Sequence, residues 1–125
     1  MKKIISIDFD GTICRDQDFG EFGLIHEKPM PGAKRVIDKL KKEGFKIIVL
    51  TVRLNPSFGG DLKWKRWVIE DWLQKNKIPF DDITNHKPSA DCYIYNKAIR
   101  FTSWSKTETD LRQFLSNQRP VKASE

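Results

Sequence analysis

The sequence predicts an α/β domain on a parallel sheet, and three observations lead there. Short apolar, β-rich runs end abruptly in polar residues, first over residues 3–7 before Asp8 and again over residues 45–50 before Thr51. Segments whose apolar residues recur with helical spacing separate these runs. The resulting order of strand, helix, strand, helix, strand is the one in which helices cover the faces of a parallel sheet. A chain of 125 residues holds one such domain, because chains of this size rarely split. Residues 1–117 carry the elements, and residues 118–125 read as a frayed tail.

Each element has its own reason. The first strand stops at Asp8, and residues 11–30 are loop-like, with Gly20, Gly23 and Pro29. Pro31-Gly32 opens a helix, since proline's fixed φ suits a first turn. Ala33, Val36, Ile37 and Leu40 then follow at i, i+3, i+4 and i+7, a single apolar stripe. Gly44 stands where a helix C-terminal glycine belongs. After the second strand, residues 54–60 with Pro56, Gly59 and Gly60 form a loop. Asp61 caps a helix running to about residue 77, whose apolar face combines Leu62, Val68, Ile69, Trp72 and Leu73 and leaves Trp67 outside it. Short strands are expected over residues 80–83, 92–94 and 99–101. Ser105-x-x-Glu108 reads as a capping box for a last helix striped by Leu111, Phe114 and Leu115.

The crossover between the first two strands runs right-handed, so both strands point the same way and Asp8 and Thr51 emerge at one edge. Open α/β sheets bind ligands at that carboxyl edge.

Composition narrows the class. No apolar run reaches the roughly 20 residues that span a bilayer, and the opening residues lack the long apolar region of a signal peptide. A cytoplasmic protein is expected. Cys14 and Cys92 show no metal-type spacing and read as free thiols in a reducing compartment. A net charge of +6 favours acidic partners, phosphate esters or nucleic acid. His26 and His86 have no partner spacing and read as surface residues.

Asp8-Phe9-Asp10-Gly11-Thr12 carries the chemistry. Strand alternation puts both carboxylates on one side, about 6–7 Å apart along the chain, suited to share one reacting group. Gly11 lets the backbone turn tightly and approach a phosphate. A calcium loop with Gly11 at its sixth position would need ligands where Ser6 and Gln17 stand, so that reading fails.

This D-x-D-G-T after a first strand resembles motif I of the haloacid-dehalogenase-like phosphatases. Thr51-Val52-Arg53 resembles their motif II, Lys87-Pro88 the motif III lysine, and residues 90–98 motif IV of small capless members. The resemblance implies a three-layer, Rossmann-like domain with no cap. It implies Asp8 as nucleophile, accepting the phosphoryl group as an aspartyl-phosphate. Asp10 would be the acid and base, Thr51 a hydrogen-bond donor to phosphoryl oxygen, and Lys87 the countercharge. Gly11, Thr12, Val52 and Arg53 would border the substrate. Magnesium would be held by Asp8, Asp10 through its carbonyl, and Asn96.

The pattern departs from the family at one place. Where motif IV has two acids, this chain has Tyr95-Asn96. Tyr95 is no carboxylate, and Asn96 offers a neutral oxygen or holds a water. Asp91 is no substitute, because four strand residues put it about 13 Å away. Two readings follow: a magnesium-dependent phosphohydrolase weakened at its metal site, or a non-catalytic phosphate- or nucleic-acid-binding module on the same fold. A phospho-accepting receiver would need an Asp after the third strand, where Asn85-His86 stands. The gaps after Thr12 and Thr51 are too short for a cap domain, so the crevice should be open. It would admit a bulky phosphorylated substrate such as a nucleic-acid end, or take a partner chain that excludes water. Lys63-Trp64-Lys65-Arg66-Trp67 interleaves cations with aromatics as nucleic-acid platforms do, or packs its tryptophans.

Overall fold

The computed structural model of the protein describes residues 3–20 and 22–117, so the expected tail over residues 118–125 lies outside the described residues. In chain order the elements are β1 (Ile4–Asp8), α1 (Ala33–Lys42), β2 (Lys46–Leu50), two short 3₁₀ turns (Val52–Leu54 and Pro56–Phe58), α2 (Leu62–Lys75), β3 (Asp82–Thr84), β4 (Cys92–Ile94) and α3 (Trp104–Ser116). The four strands form one all-parallel sheet in the order β3-β2-β1-β4. The protein is thus an α/β domain with a Rossmann-like parallel sheet.

Alternation along β1 and β2 decides the core. Ile5, Ile7, Ile47 and Val49 pair in register and join Ile37 of α1, Ile69, Trp72 and Leu73 of α2, and Ile83 of β3 in one buried cluster. Burying an aliphatic side chain of this size contributes about 1.5–3 kcal/mol, so this cluster holds both helices to the sheet. Phe9 extends it past the end of β1, meeting Trp72 edge-on at 5.2 Å between ring centroids. Two aspartates staple the amino edge. Asp81 accepts from Ile47 N (2.7 Å) and Lys41 Nζ (2.6 Å), and Asp91 accepts from Ile4 N (2.8 Å).

The elements differ from the sequence expectation in three places. β3 lies over Asp82–Thr84, two residues later than residues 80–83 suggest at the start. Residues 99–101 form no strand. The cap of α3 is Ser103, whose extended backbone lets its side chain accept from Lys106 N, so the box at Ser105-x-x-Glu108 is not the one used. No residue of α3 is buried. Asp61 does cap α2, accepting from Lys63 N and Trp64 N. Among the described residues no helix is long and apolar enough to cross a membrane.

Candidate active site

Because all strands run the same way, the ends of β1, β2 and β4 meet at one edge and bring Asp8, Thr51 and Asn96 together. Asp8 closes β1 and is only 7% exposed. Just beyond it the chain folds back over Phe9, whose carbonyl accepts from Ile13 N and Cys14 N, both at 3.0 Å. Gly11 allows the turn with φ 82°, a left-handed conformation that a side chain would strain. The turn swings Thr12 back to the edge, where its Oγ1 stands 3.4 Å from both Asp8 Oδ2 and Asn96 Oδ1 and accepts from Asn96 N at 3.2 Å. The Asn96 amide lies directly over Gly11, and a Cβ there would stand 3.0 Å from Asn96 Cγ. Asn96 is therefore packed into the loop that frames Asp8.

Asp10 has a different neighbour. Its two carboxylate oxygens accept from Arg53 Nε (2.8 Å) and Nη2 (3.0 Å), a bidentate pair with both side chains nearly buried. Arg53 Nη1 donates to Gly23 O at 3.1 Å, and the guanidinium lies over the Phe19 ring, 4.2 Å from its centroid. Thr51 delivers it: its Oγ1 accepts from Arg53 N at 3.1 Å and starts the 3₁₀ turn. Arg53, expected at the border of the substrate, turns inward. It is 2% exposed and its fork is used on Asp10. Val52, beside it, faces solvent.

Burial pushes the Asp8 carboxyl up, and the Asp10 charge adds to it, while the Phe9 N–H, Thr12 and the Lys97 ammonium pull it back; the result is about 7. Asp8 is thus a carboxyl that titrates near neutral pH at the sheet's carboxyl edge, a perturbation of the kind found at functional sites.

A cavity of about 740 Å³ opens at Asp8, lined also by Ser6, Lys87, Tyr93, Tyr95, Lys97 and Arg100. Tyr93 organises one wall. Its hydroxyl donates to Pro88 O (2.6 Å) and accepts from Ala90 N (3.1 Å), and its ring carries Lys87 Nζ 4.7 Å from the centroid. The edge so gathers Asp8, Asp10, Gly11, Thr12, Thr51 and Asn96, with Lys87 across the cavity. The sequence argument assigned no role to Lys97, the cation whose charge reaches Asp8. Its position directly after Asn96, past the end of β4, was the available signal.

The magnesium implied by the family resemblance can be tested on these donors. Among the described residues no group of three or more His, Cys, Asp or Glu can hold a metal. The Asp10 carboxylate is bound to Arg53, which leaves Asp10 only its neutral backbone carbonyl; Asn96 Oδ1 faces Thr12, and Tyr95 brings a phenol. Asp8 is the one carboxyl left, and an ammonium already acts on it. Magnesium demands a near-octahedral oxygen shell anchored by carboxylates, and these residues do not fit it.

Taken together, fold and edge define an α/β protein with a Rossmann-like parallel sheet and an acid-bearing carboxyl edge. No family model matches the sequence, and no curated protein does. Among solved structures the chain is similar to a conserved protein from Bacteroides thetaiotaomicron, with a TM-score of 0.58 and 20% identity over 91% of this chain and 93% of that one. The likeness shows the fold.

Proposed function

We propose that the protein is a haloacid-dehalogenase-like phosphohydrolase that cleaves phosphomonoesters through an aspartyl-phosphate on Asp8. The observation that carries this reading is the Asp8–Asp10 pair at the sheet's carboxyl edge, beside a cavity lined by Lys87, Lys97 and Arg100. An Asp8 oxygen attacks phosphorus, the ester oxygen leaves, and water then attacks the phosphorus of the acyl phosphate to regenerate Asp8 and release phosphate. Asp10 gives a proton to the leaving oxygen and takes one from that water. Because Arg53 holds both Asp10 oxygens, each transfer requires one of the two bonds to open. Thr51 and Thr12 are the hydroxyls we assign to donate to phosphoryl oxygens. The cavity's tyrosines and open shape suit an aryl or nucleoside ester, including a nucleic-acid end.

A second reading, a phosphate-binding module without turnover, is favoured by the Asp10–Arg53 pair, which opposes proton transfer. Trp64 and Trp67 bear little on either: they stack on each other at 5.3 Å, and Trp64 Nε1 donates to Phe22 O, away from the cavity wall. Hydrolysis of a generic aryl phosphate decides between the two. The parent should release phosphate and Asp8→Asn should fall to background with its fold intact. Wild-type turnover in that variant would show the aspartyl-phosphate route to be wrong.

A further inference from the structure

The departure at Tyr95-Asn96 has a structural counterpart one residue further on. In a metal-dependent site of this geometry a divalent cation would sit against the end of β1 and offset the negative charge of both nucleophile and phosphate. Here each side-chain donor for such a cation, apart from Asp8, is used inside the protein. Arg53 takes the Asp10 carboxylate through two hydrogen bonds at 2.8 and 3.0 Å, and the Asn96 amide is folded over Gly11 against Thr12. The backbone that places Asn96 there also brings Lys97 to line the same cavity as Asp8, near enough for its charge to act on that carboxyl. Lys87 and Arg100 line the same cavity, whose one acid besides Asp8 is Asp91, already bonded to Ile4 N. The wall also contains Ser6 Oγ, which is buried with no hydrogen-bond partner. A buried hydroxyl without a partner costs free energy.

We propose that the site takes a phosphomonoester dianion without a divalent cation, with Lys97 supplying the positive charge at Asp8 that a metal would otherwise supply. The proposal rests on the reading of this edge as a phosphate site and not on whether the bound ester is turned over. An ammonium on a flexible stem is a compact point charge with three donors; it can meet phosphoryl oxygens as a cation while imposing no coordination geometry. Lys97 is exposed in the described structure, so replacing it should leave the fold unharmed.

The test is a calorimetric titration of the full chain with inorganic phosphate, once in chelator and once in excess magnesium, for the parent, Lys97→Met and Lys97→Arg. The parent should bind phosphate equally well in both buffers. Lys97→Met should weaken binding about tenfold, a loss of about 1.4 kcal/mol, and Lys97→Arg should restore most of it. Phosphate binding that appears only with magnesium, unchanged affinity in Lys97→Met, or no phosphate binding in either buffer would each overturn the proposal. The two readings can fail separately. Metal-free, Lys97-dependent binding without aryl phosphate turnover removes the hydrolase and keeps this inference. Magnesium-dependent binding with turnover does the reverse.

Discussion

As the proposed nucleophile Asp8 is asked for two opposing things, since attack needs it ionised and its position at the end of a buried strand penalises charge. Burial first, and then Asp10, raise it from an ordinary 3.8 to about 7. Between these values the folded protein holds a proton that the unfolded chain has released, so stability falls as pH rises from about 4 to about 7 and is level above. Asp8→Asn has no charge to bury and should lose this slope. Its gain in stability over the parent should be larger at pH 8 than at pH 5, by on the order of 2 kcal/mol at about 1.36 kcal/mol per unit, read from urea unfolding midpoints. An equal gain at both values would mean that Asp8 is ionised in the folded state throughout. The same ionisation should make turnover in the parent climb as pH rises through about 7. Residues of this kind were legible in the sequence because a D-x-D at the end of an apolar strand has no packing purpose. The destination of Arg53 was not, because its partner Asp10 is 43 residues away and only the fold makes them neighbours. Cys14 shows the same limit: burial and the nearby Asp10 charge push its thiol up to about 12, an inert group that spacing alone could only describe as free.

Among the elements, legibility followed how local the determining interactions are. The stripe of α1 and the Asp61 cap of α2 are short-range and were read directly. The short strands depend on partners. β3 exists where Ile48, Val49 and Leu50 of β2 accept Asp82, Ile83 and Thr84 in register, while residues 99–101 pair with no strand. At α3 two serines competed, and Ser103 won because its backbone is extended at φ −155°, ψ 157°, the conformation a cap needs. The helices also differ in what holds them. Ile69 of α2 is fully buried in the core cluster, whereas Leu111 of α3 is 43% exposed. Ile69→Ala should therefore cost about 2–5 kcal/mol, and Leu111→Ala about 0.5 kcal/mol or less. Urea denaturation of the two variants measures both. Comparable losses would mean that α3 packs as firmly as α2.

The sheet order β3-β2-β1-β4 governs the whole molecule, because it lays the end of β4 beside the end of β1 and makes residues 95–97 part of the Asp8 site. A substitution far away in sequence therefore acts on Asp8 directly. Tyr95→Asp with Asn96→Asp should convert the edge to a metal-binding one. Two carboxylates would join Asp8 where one now stands, and an oxygen shell anchored by several carboxylates is what magnesium requires. Asn96→Asp is isosteric, so a carboxylate takes the place of the amide over Gly11 and beside Thr12. Without metal the added charges repel Asp8 and Lys97 offsets only part of that, so the double variant should unfold at lower urea than the parent in chelator. With magnesium the order should narrow or reverse, since a ligand that binds only the folded state stabilises it by mass action. Calorimetric magnesium titration should show affinity at least about tenfold tighter than in the parent, a difference of about 1.4 kcal/mol. Removing the competing ammonium through Lys97→Met in the same background should tighten it further. If the double variant binds magnesium no better than the parent, residues 95 and 96 do not limit the site, and the fixed Asp10–Arg53 pair becomes the element to change next. If magnesium binds tightly but an aryl phosphate is still not hydrolysed, the edge has the charge for phosphate and lacks a free proton carrier, and the module without turnover becomes the better description of the protein.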